Sequence, residues 1–74
     1  MNRIYVNVRC DQQSDGTMIP KELIWPDGRS WEIRKTLHMA APVGDEFEGI
    51  RYTVIIGSAE RYIYKAGHAW YVMA

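Results

Sequence analysis

With a single cysteine, the chain has no intramolecular disulfide open to it, and two histidines are a thin supply for metal centres or proton transfer. Cys10 falls in the alternation Ile4, Val6, Val8, Cys10, which places it on the apolar face of a strand. No base or cation shares that parity, so the thiol reads as a small buried hydrophobe rather than a nucleophile. The formal net charge is zero, which argues against a generally basic nucleic-acid binder. No apolar run is long enough for a transmembrane helix or a signal peptide, and the N-terminus goes straight into a strand pattern. Together with the unpaired cysteine, this predicts a soluble cytoplasmic protein that makes no membrane contact. Helical apolar spacing with proper caps is also missing.

Aromatic residues and extended patterns fill the chain instead. At 74 residues it is long enough for one domain, 1–74. Such a chain buries only about 60–65% of its unfolded surface, so it depends on large side chains. Trp25, Trp31, Trp70, Phe47 and five tyrosines supply them. Small scaffolds without disulfide or metal also gain stability by self-association, so a homo-oligomer stays open.

The segment Ile24-Trp25-Pro26-Asp27-Gly28-Arg29-Ser30-Trp31-Glu32-Ile33 holds the clearest local signal. Proline presets φ for a turn and glycine accepts a positive φ, so two extended runs meet in a hairpin. The same punctuation recurs along the chain. Strands are expected at residues 3–10, Met18 to Trp25, Arg29 to Met39, Ile50 to Ile56, Arg61 to Lys65 and Ala69 to Met73. Pro20 lacks an amide donor and belongs near a strand's start or on a free edge. In the third strand Trp31, Ile33, Leu37 and Met39 share a parity that Lys35 interrupts, which predicts a bulge or bend near Lys35-Thr36. Residues 40–49 form the one real loop, with Phe47 among Asp45, Glu46 and Glu48 and placed to pin it to the body. The expected fold class is all-β: a six-stranded antiparallel meander closed as an SH3-like small barrel, or else a strongly bent sheet that dimerises.

Within this pattern Ile19-Pro20, Ile24 to Arg29, Trp31 to Ile33, Gly49 to Val54, Glu60 to Tyr64 and Trp70 to Val72 resemble small bacterial proteins of about this length and of unknown function. The resemblance covers nearly the whole chain. It implies a bacterial source and a link to gene neighbourhoods of mobile elements and translesion DNA polymerases, hence to DNA metabolism. It carries no activity and no catalytic residue.

Catalytic and metal constellations do not assemble from the sequence. His38 lies near a strand end and His68 in a turn, while Ser14, Ser30 and Ser58 lie in or beside turns, so no nucleophile–base pair is indicated. Cys10, His38 and His68 lack metal-ligand spacing, and the acids of 45–48 lack the spacing of a calcium loop. A phosphate-cradling glycine loop followed by a helix is absent. The expectation is a non-catalytic module with no cofactor and no metal. A pocket joining His38 or His68 to an acid would revive an enzyme.

Charge signs separate by element. Asp11, Asp15, Asp27, Asp45, Glu46, Glu48 and Glu60 are expected in turns and loops; Arg3, Arg9, Lys21, Arg34, Lys35, Arg51, Arg61 and Lys65 in strands. If those cations share one outer surface, Arg9, Arg34, Arg51 and Arg61 would capture phosphate, and Tyr62, Tyr64 or Tyr71 would stack on bases of a nucleic-acid partner. The alternative is a protein partner or a second copy, docked through an aromatic patch around Trp25, Trp31 or Trp70, or through a free strand edge. Solvated strand cations and core aromatics are the plain reading of the same residues.

Overall fold

The computed structural model describes residues 2–74. It contains β1 (Arg3–Gln12), β2 (Met18–Ile24), β3 (Ser30–Ala40), β4 (Ile50–Ile56), β5 (Ala59–Ala66) and β6 (Ala69–Met73). All ladders are antiparallel, and the strands close in the order β1-β2-β3-β4-β5-β6, with β6 returning to β1. The fold is a small all-β barrel of the SH3-like kind, with no helix among the described residues. No helix is therefore long and apolar enough to cross a membrane.

Two hairpins use the same device. Trp25 N donates to Arg29 O at 2.7 Å and Gly28 N to Trp25 O at 2.9 Å; Gln13 N donates to Thr17 O at 2.8 Å and Gly16 N to Gln13 O at 2.9 Å. Each is a three-residue loop closed by a left-handed glycine, Gly28 at φ 94° and Gly16 at φ 90°. In each, the preceding aspartate accepts the amide two residues on, Asp27 from Arg29 and Asp15 from Thr17. Those amides hold both carboxyls below their ordinary pKa. The Asp-Gly pairs thus fix both turns.

The core follows the alternation of β1, β4 and β6. Val6, Leu23, Ile33, Tyr52, Val54, Ile63 and Trp70 are buried together, with Ile4, Val8, Cys10, Ile56 and Val72 packed against them. Pro20 is buried opposite Cys10, where the β1–β2 register slips past Lys21. Beyond Glu32 β3 leaves β2, so Pro20 faces no ladder on that side, in keeping with a proline's missing donor.

β3 departs from expectation. It carries two register shifts against β4, at Ile33/Lys35 and Thr36/His38, flanking the position expected for one. Ile33 is buried, but Trp31, Leu37 and Met39 are exposed rather than core. β3 has no β2 neighbour past Glu32, so its second half has nothing on that flank to bury against. β1 and β5 also run longer than expected, which moves Asp11 and Glu60 out of turns and into strands.

Candidate functional site

The four predicted arginines do not gather. Arg9 is on the outer face of β1, 3.5 Å from Glu22 and 3.7 Å from Asp11. Arg34 sits at a β3 bulge and donates to the Gly57 carbonyl at 2.7 Å. Arg51 is on the outer face of β4 opposite Tyr64. Arg61 stands opposite the fully buried Val54, so its side chain has inward parity and lies at an opening of the barrel. One basic face is therefore not formed. A strand side chain points where its strand's place around the barrel sends it, and six strands cover every direction. Acids are not confined to a rim either, because Glu22, Glu32 and Glu60 lie within strands.

Arg51 and the three tyrosines do come together, across the outer faces of β4, β5, β6 and β1. Arg51 lies 4.6 Å from the Tyr62 ring centroid and 5.1 Å from that of Phe47. Phe47 meets Tyr64 edge-on at 5.3 Å, Tyr64 stacks on Tyr71 at 4.9 Å with 6° between planes, and Tyr71 meets Tyr5 at 6.0 Å. Arg3 covers Tyr71 at 4.4 Å and pairs with Glu48 at 2.7 Å. The Tyr71 hydroxyl donates to Glu48 O at 2.7 Å and accepts from Glu48 N at 3.3 Å. Phe47 thus pins the 40–49 loop to the body, as expected, and Tyr71 fastens it. Tyr71 is 1% exposed and Tyr64 is buried, with burial raising the Tyr64 pKa. Both belong to a second packed layer on the outside of the sheet and offer no open ring to a base. Tyr62, 51% exposed, is the one predicted tyrosine that remains accessible.

A different site opens where β5 and β6 separate. β5 pairs with β4 from Ala59 to Lys65, but with β6 only from Tyr64 to Ala66. β6 turns instead to β1, where Val72 meets Ile4 and Met73 meets Arg3. Among the described residues no strand pairs with Ala59–Ile63 on this flank, which leaves an open edge in an otherwise closed barrel. Beside this edge is a half-open cleft of about 810 Å³ walled by Leu23, Trp25, Trp31, Ile56, Ile63 and Val72. The hairpin turn after β2 swings Trp25 and Trp31 into its wall, edge to face at 6.1 Å. Trp31 is 38% exposed, whereas Trp70 is buried against Tyr52. Among the described residues Glu60 and Arg61 are the only charged ones on the cleft wall.

No histidine among the described residues lines this cleft or a second hollow of about 480 Å³ near Met18, Met39 and Ile50. Among the described residues no three His, Cys, Asp or Glu side chains gather as metal ligands. Burial pushes the Cys10 thiol above its ordinary pKa, which disfavours the thiolate. Sequence reading named the tryptophans and a free edge as alternatives, but not the β5 edge itself. The signal was the mismatch between an eight-residue β5 and a five-residue β6. Comparison with family models, curated proteins and solved structures gives no match to this chain.

Proposed function

We propose that this domain is a non-catalytic binding module that takes an extended segment of a partner polypeptide along the Ala59–Ile63 edge of β5. One observation carries the reading: the strand edge without a β6 neighbour lies directly beside the apolar cleft. Strand addition supplies main-chain hydrogen bonds for affinity, while pockets for alternate side chains supply selectivity. Ile63 and Trp31 would receive apolar side chains of the segment, and an exposed tryptophan wall gives that contact a large area to bury. The free Cys10 thiol supports a reducing compartment, the cytoplasm.

The test uses peptides selected from a phage-displayed library of random dodecapeptides on the native protein. Binding is expected to shift the backbone amides of Ala59–Ile63 and the Trp31 indole in a ¹H–¹⁵N spectrum, and to fall about tenfold or more in Trp31→Ala, the scale of an aromatic hot spot. Selected peptides that shift other strands and bind Trp31→Ala unchanged would count against the reading. So would a shift of the same Ala59–Ile63 amides on dilution of the protein alone, which would make a second copy the occupant.

A second reading rests on Arg51. Its guanidinium lies over the exposed Tyr62 ring, pairs with no carboxylate among the described residues, and has a buried Nε without a partner. A cation beside an accessible ring supports contact with a single-stranded nucleic acid, the role in bacterial DNA metabolism that the sequence resemblance implies. Fluorescence anisotropy of labelled single- and double-stranded oligonucleotides decides it. Micromolar binding that weakens steeply with salt and is lost in Arg51→Gln supports it, and no binding at low salt removes it.

A further inference from the structure

Resting on the strand-addition reading, we infer that the partner segment carries an acidic residue opposite Arg61 and, next to it, a basic residue opposite Glu60. Successive side chains of a strand point to opposite faces. Glu60 stands opposite Ile55 and Arg61 opposite Val54, so the two charges flank the free edge, one on each face. Both are exposed, and neither forms an ion pair among the described residues. By contrast Arg3, Arg9 and Arg29 each hold a carboxylate of the chain. Across the sheet from Glu60 the register runs through Ile55 on β4 before it meets a cation, Lys35 on β3. On the side of Arg61 the corresponding residues are Val54 and Thr36, neither charged.

An added strand would place its side chains directly opposite these two, about 4.5–5.5 Å away between β-carbons. Like charges there are repelled and opposite charges attracted, so the edge reads two adjacent residues of the partner. In antiparallel register, the sense of every ladder in this barrel, the segment reads acid then base from its N-terminal side. Its preceding cleft-facing residue, two before the acid and opposite Ile63, is apolar. A second copy of the chain fits this poorly, because two-fold pairing of β5 with itself centred on Glu60 or Arg61 sets like charges against each other.

The experiment repeats the dodecapeptide selection on the native protein and on the paired variant Glu60→Arg, Arg61→Glu. Native protein is expected to enrich apolar segments with acid then base, and the variant the same segments with base then acid. Each matched pair should change affinity by about two- to fivefold, and exchanging the proteins should reverse the preference. A thermal melt establishes that the variant is folded; if it is not, Glu60→Gln and Arg61→Gln each carry half of the test. Trp31-dependent peptides with no charge preference, or identical peptides from both proteins, would overturn this inference and leave the docking reading intact. Selection of no peptide that shifts Ala59–Ile63 would overturn both.

Discussion

Replacing Gly49 by alanine is expected to remove about 2–5 kcal/mol of stability, the sum of a left-handed backbone penalty and a contact that cannot relax. Gly49 has φ 88°, and a β-carbon there would meet the Lys65 carbonyl oxygen, with Ala66 Cα at 2.9 Å. Both obstacles are backbone, held by the pairing of Ile50 with Lys65 and of Ala66 with Ala69, so neither can turn aside as a side chain would. The close approach has a purpose in the fold. It lets the 40–49 loop rejoin β4 flush against the β5–β6 turn, which keeps Glu48 within reach of Tyr71 and Phe47 over Tyr64. A domain of this size has only about 4–11 kcal/mol in all, so much of the population would unfold near physiological temperature. Gly16 provides the control, since its φ is 90° and nothing lies within 4 Å of an added β-carbon. Gly16→Ala should therefore cost only about 1–2 kcal/mol, the backbone share alone. Urea denaturation of the two variants measures the difference. Equal midpoints would mean that the Lys65 backbone yields and that the loop is not held as described.

The sequence disclosed more of the fold than of the site, and particular residues explain why. Asp15-Gly16 and Asp27-Gly28 specify their turns through local bonds, so those hairpins could be read without tertiary knowledge. The alternations Ile4-Val6-Val8 and Tyr52-Val54-Ile56 place their faces because the strands there are paired throughout, β1 with β6 up to Val6 and with β2 from Asn7, β4 with both β3 and β5. Alternation misled at Leu37, which the second register shift leaves without a β4 partner, and at Met39, which faces Tyr52 where β3 outruns β2 and the inward parity opens to solvent. Parity is a local property, but burial needs a neighbour. Sign segregation failed for a related reason. Arg9, Arg34, Arg51 and Arg61 are all strand residues, but closure turns their strands toward different directions, and pattern along the chain does not encode that rotation. The β5 edge was hidden by a boundary. Reading β5 from Arg61 removed Ala59 and Glu60, two of the five residues by which it outruns its β6 ladder.

The outer aromatic layer makes the second large prediction, and it separates architecture from recognition at the tyrosines first read as a stacking platform. Tyr71→Ala is expected to cost about 3–5 kcal/mol, the range for deleting a buried aromatic, because Tyr71 is 1% exposed. The substitution would remove the ring between Tyr5, Tyr64 and Arg3, and with it the hydroxyl that binds both backbone groups of Glu48. Tyr71→Phe keeps the stack and loses only those bonds, so about 1–2 kcal/mol should go. Its hydrogen-exchange protection should fall in the 40–49 loop and hold in β1 and β4. Tyr62→Ala should stay within about 1 kcal/mol, since that ring is half in water. This ordering of denaturation midpoints, Tyr71→Ala lowest and Tyr62→Ala near native, marks Tyr71 and Tyr64 as structural. A near-native Tyr71→Ala would instead free the face for a ligand. Under the expected ordering, any nucleic-acid contact on this side passes through the exposed rings of Tyr62, beside Arg51, and Tyr5, and not through Tyr64 or Tyr71. The Trp31 cleft then remains the apolar surface that adjoins an open strand edge, and the proposed partner polypeptide is a ligand whose backbone can use the edge that β6 leaves open.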